Sequence, residues 1–69
     1  MTFGEIIKRE RMNKGFSMEK LANEAGVGKT TVYSVEHSNH LPQYSTRKLL
    51  CDALKIDLKR VMDEVMRSA

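Results

Sequence analysis

Lys29, Thr30, Tyr33 and Ser34 are the side chains in this 69-residue sequence best suited to recognising a patterned polar surface. They stand at i, i+1, i+4 and i+5, so a helix through them shows all four on one face. Val32 and Val35 fall on the opposite face of the same helix. Lysine donates to the O6 and N7 acceptors of guanine, threonine offers a methyl contact to thymine, and tyrosine offers ring and hydroxyl together. Thr31 stands closer to the edge of that face, within reach of a phosphate or a methyl group. For any one of these residues a solvated polar surface is the competing assignment, and the set is more persuasive than its members.

Bond-making chemistry lacks its parts. His37 and His40 are the only histidines, Cys51 is the only cysteine, and no nucleophile elbow or phosphate-cradling glycine loop is present. His37, His40 and Cys51 do not have the spacing of a zinc site and have no fourth ligand. The expectation is therefore a protein that is not an enzyme, with no metal and no cofactor.

The elements that must position the polar face run from Met18 to His37. Leu21, Ala22 and Ala25 repeat at helical spacing after Met18, giving a first short helix one apolar face. Gly26 follows where that helix would end, at a position suited to left-handed backbone. Val27 is an apolar plug, and a second helix carries Val32 and Val35 inward. Ala22 is small where the second helix must cross close to the first. Two short helices joined by a tight glycine turn form a helix-turn-helix, whose second helix enters the DNA major groove. An ordinary αα-hairpin is the alternative, but it has no need of small Ala, turn Gly and polar outer face together.

With these residues in view, the chain resembles the Cro/cI-type (XRE) helix-turn-helix family of prokaryotic and phage regulators. The resemblance rests on Ser17-Met-Glu-Lys-Leu-Ala, on Gly26-Val27, on Val35-Glu36 and on the spacing from Glu36 to Pro42. Ala53-Leu54 and Asp57-Leu58 fall where that family has its fourth and fifth helices, so the likeness covers nearly the whole chain. It implies an all-α, compact, five-helix, lambda-repressor-like DNA-binding domain with the helix-turn-helix at helices 2 and 3. It implies double-stranded DNA as partner and says little about which sequence is read.

Along the chain, Thr2 and Glu5 have the spacing of a capping box at the first helix. Phe3, Ile6 and Ile7 make the inner face, and Arg11 stands one turn beyond Ile7 at the edge of that stripe. A buried arginine needs a partner, and Glu36, on the inner side of the recognition helix, is the best one available. The family resemblance implies the same pair; two solvated surface charges are the alternative. Ser17 is an N-cap whose helix end, with Met18, offers free N–H groups and a positive dipole to a DNA phosphate. Related regulators often have Gln where Met18 stands, which removes one polar anchor here. Gly28 opens the recognition helix where the family has Ser or Thr; it caps less well but lets backbone approach DNA closely.

The loop Ser38-Asn39-His40 lacks the glycine usual near Ser38, and Pro42 breaks the chain before a fourth helix beginning at Gln43, Tyr44 and Ser45. By resemblance, Asn39, His40, Gln43 and Arg47 are the phosphate candidates, with plain surface residues as the alternative. Leu50, Cys51 and Leu54 form a packed face, which makes Cys51 a small core residue. Asp57 caps a last helix over 57–69, on which Leu58, Val61, Met62, Val65 and Met66 recur as a broad apolar stripe. Its second half, Met62, Val65 and Met66, is expected to form a homodimer seam, with burial in the protomer's own core as the alternative.

Length and composition set the outer bounds. Residues 1–69 suffice for one small domain. A lone cysteine excludes an internal disulfide and suits a reducing cytoplasm, and no apolar run is long enough to span a membrane. The net charge of +3 and isoelectric point near 9.2 permit nucleic-acid binding without proving it, since acidic and basic residues are interleaved. The reading is a cytoplasmic, nucleoid-associated transcriptional regulator, a repressor acting as a homodimer on an inverted-repeat operator, with regulation by concentration, DNA occupancy or a separate protein. The alternative is a protein-interaction module that binds DNA weakly or without sequence preference.

Overall fold

A computed structural model describes residues 1–67; Ser68 and Ala69, which end the expected last helix, lie outside the described residues. Five helices follow in order: α1 (Phe3–Asn13), α2 (Met18–Ala25), α3 (Lys29–His37), α4 (Tyr44–Leu54) and α5 (Leu58–Arg67). Each of the first two begins at a hydroxyl cap. Thr2 Oγ1 accepts from the Glu5 amide at 3.1 Å while the Thr2 amide donates to Glu5 at 2.7 Å, closing the box. Ser17 Oγ accepts from the Lys20 amide at 3.0 Å. The α2 helix stops at Gly26, whose φ of +74° lets the Val27 amide return to the Ala22 carbonyl at 3.0 Å. The same device ends α4, but there Lys55 supplies the left-handed residue at φ +57°.

The apolar faces meet in one cluster. Ile6, Ile7, Leu21, Val32, Leu50, Cys51 and Leu54 are fully buried, with Phe3, Ala22, Ala25, Val35 and Val61 around them. Helix α1 packs on α3, α4 and α5, and α2 packs on α3 and α4, so α3 is gripped from two sides. The crossing of α1 on α3 is close: a Cβ on Gly4 would collide with the Val35 carbonyl oxygen and lie 3.0 Å from its carbon. Along α5, Val61 is buried, Leu58, Met62 and Val65 are half-buried against the core, and Met66 is exposed. No helix among the described residues is long and apolar enough to cross a membrane.

Candidate nucleic-acid interface

Two apolar residues and one ion pair hold α3 in place. Val32 and Val35 are buried, and Glu36 carries its carboxylate into the same interior. There it receives Arg11 Nε at 2.7 Å and a second guanidinium nitrogen at 3.1 Å, while the third nitrogen donates to the Phe16 carbonyl at 2.8 Å. The fork geometry satisfies both carboxylate oxygens at once. It ties the end of α1, the turn into α2 and the end of α3 into one rigid corner.

With its inner side fixed, α3 turns Lys29, Thr30, Tyr33, Ser34 and His37 to solvent, and Thr31 lies half-buried at the edge. The side chain of Lys29 makes no ion pair among the described residues, and the hydroxyls of Thr30, Tyr33 and Ser34 make no hydrogen bond there. Three exposed cations elsewhere are paired: Lys20 with Glu24, Lys48 with Asp52, and Arg9 with Glu10 and Glu64. The last contact holds the Glu64 carboxyl below the usual range, chiefly through its hydrogen bond to Arg9. The α3 face thus keeps its donors unspent. Gly28 caps α3 without a side-chain bond, leaving the first amides of the helix open.

The residues flanking that face divide into two groups. Ser17, Gly28, Asn39, His40 and Gln43 are exposed, and the His40 amide is held by Ser38 Oγ at 2.9 Å. Met18 instead is half-buried, its side chain packed against the core because it continues the Leu21–Ala25 row. Arg47 differs from the solvent-facing donor the resemblance implies. Its guanidinium lies 3.6 Å from the Met62 sulfur and 5.6 Å from the Tyr44 ring, and its Nε is buried with no hydrogen bond among the described residues. Position 47 precedes Leu50 and Cys51 by one turn, which sets it on the packed side of α4.

Two features of this region are barely marked in the sequence. Gly4 sets how close α1 lies to α3, and its only sequence signal is a glycine inside a capped helix. His37 stacks on Tyr33, with ring centroids 4.0 Å apart and planes 17° apart, a contact signalled only by i, i+4 spacing. Cys51 takes no part in the face: burial pushes its thiol up to about 11, which keeps it neutral. No cluster of three metal-ligating side chains exists among the described residues.

A helix-turn-helix family model matches residues 7–61, from the middle of α1 into α5. The chain belongs to the XRE-type helix-turn-helix family. Among solved structures it is similar to SinR, described as a master regulator for biofilm formation in complex with DNA. That match has 28% identity and a TM-score of 0.82, over 90% of this chain and 100% of the other. It is also similar to the restriction-modification controller protein C.AhdI from Aeromonas hydrophila, at 29% identity and TM-score 0.79, over 86% and 89% of the two chains. A third structure, the SinR/SinI protein complex, matches at 28% identity and TM-score 0.84, over 99% of this chain and 67% of the other. No curated protein sequence matches. Family and fold are those of DNA-binding transcriptional regulators.

Proposed function

We propose that this helix-turn-helix chain regulates transcription as a homodimer, a repressor on an inverted-repeat operator, with α3 in the major groove. The observation that carries this is the α3 face, where Lys29, Thr30, Tyr33 and Ser34 stand outward with donors unspent on a helix locked from behind by Arg11–Glu36. Thr31 serves the edge of that face. Ser17, Gly28, the Met18 backbone, Asn39, His40 and Gln43 hold phosphates on either side of it, and Arg47 joins them by swinging off Met62. The chain acts as one domain in the cytoplasm, at the nucleoid, and catalyses no reaction.

Met62, Val65 and Met66 form the dimer seam in this reading. With Met1, Phe3 and Leu41 they line an apolar groove on the protomer, a surface suited to cover by a second copy. Two recognition helices about one DNA turn apart, roughly 34 Å, then address the two half-sites. Selection of sites from a random duplex library at near-physiological salt is the direct test. An enriched inverted repeat supports the whole reading, and a lone half-site removes the dimer. In that assay Lys29→Ala weakens binding to the selected site; no loss removes Lys29 from the reading face.

The same groove favours a second reading, a protein-interaction module, since one similar structure is that of SinR bound to the protein SinI. Selection that enriches no sequence, together with a stoichiometric protein complex, moves the function there.

A further inference from the structure

We infer that His37 is a positioning residue for sequence reading, holding the Tyr33 ring in a fixed pose on the outer face of α3. The inference rests on the DNA-reading function proposed above and goes beyond its residue set. Tyr33 is 55% exposed, and an exposed tyrosine on an isolated helix samples several rotamers. Here its ring lies nearly parallel to the His37 imidazole at 4.0 Å between centroids. The imidazole is itself anchored. Its Nδ1 lies 2.9 Å from the Tyr33 carbonyl oxygen, which only accepts, so Nδ1 carries the proton and donates.

The two contacts act on different parts of the same residue. The hydrogen bond fixes the imidazole to the Tyr33 backbone, and the stack fixes the Tyr33 ring to the imidazole. The tyrosine hydroxyl and ring edge therefore stand at a set point above α3 before DNA arrives. A side chain frozen in advance loses less freedom on binding and penalises a mismatched base pair more sharply. Nothing in this arrangement requires His37 itself to touch a base.

The test is site selection with wild type, Tyr33→Ala, His37→Ala and His37→Phe, each checked for an unchanged melting temperature. Tyr33→Ala is expected to relax preference at one base-pair position per half-site. His37→Ala is expected to relax that same position by about two- to tenfold, the worth of an aromatic pair. His37→Phe, which keeps the stack but loses the Nδ1 anchor, is expected to restore part of it. A uniform loss of affinity with preference intact would mark His37 as a backbone contact and overturn the inference. So would no effect of His37→Ala, failure of His37→Phe to restore preference, or an unaltered motif for Tyr33→Ala. A wild-type protein that enriches no motif overturns the DNA-reading function itself, which separates the two failures.

Discussion

Glu36 has no exposed side-chain surface and yet keeps a charge, and Arg11 retains only 11% of its own exposure. Neither tolerates burial alone. Glu36→Ala strands a guanidinium with two of its hydrogen bonds missing, a loss of about 3–5 kcal/mol, which is most of the stability such a small domain has. Thermal unfolding is expected to show a steep drop in Tm; an unchanged Tm would make the pair a surface ornament. Replacing both residues with apolar side chains of similar size is expected to cost less than Glu36→Ala alone, because no orphan charge remains. This pair was legible in the sequence because a charge at the edge of an apolar stripe demands a partner. Arg47 was not. Its helical register with Leu50 and Cys51 sets it on the packed side of α4, but a long charged side chain carries no local sign of whether it folds back on Met62 or reaches solvent.

At the scale of elements, the caps written in sequence form as hydrogen bonds at Thr2, Ser17 and Gly26. Local chemistry fixes such ends, so local sequence reveals them. The α1–α3 crossing is different, since nothing local says that Gly4 will meet the Val35 carbonyl. Gly4→Ala ordinarily strengthens a helix, but here it must push α1 off α3 and shift the recognition helix with it. The expected outcome is a net loss of about 1–3 kcal/mol in urea unfolding, the cost of overpacking. A gain in stability would mean that the two helices part without penalty. The left-handed Lys55 is also invisible to residue type, because the position favours glycine. Lys55→Gly removes a Cβ clash and is expected to stabilise the fold by about 0.5–1 kcal/mol. A loss on denaturant titration would show that the Lys55 side chain contributes more than its backbone strain takes away.

For the whole molecule, the net charge of +3 says little until its placement is known. Ion pairs occupy Arg9, Lys20 and Lys48, while the Lys29 side chain on α3 makes no ion pair among the described residues and is open to a DNA phosphate or base. The α5 stripe divides in the same way, with Val61 spent on the core and Met66 left 70% exposed. That division makes the seam testable without disturbing the fold. Met66→Glu adds a solvated charge to the free protomer, so its Tm is expected to stay within about 2–4 °C, as for other surface changes. In a two-fold dimer the same change brings two carboxylates into one apolar interface. Sedimentation equilibrium is expected to show dimerisation weakened by about tenfold or more, each factor of ten being about 1.4 kcal/mol. Binding to a full inverted repeat should fall with it, while binding to a single half-site stays within about twofold, given the screening of one distant charge. Loss at both sites alike would trace the effect to repulsion of DNA. Loss at neither, with the protein still dimeric, would put the two-fold axis on another surface, and a protein monomeric at high micromolar concentration would end the dimer.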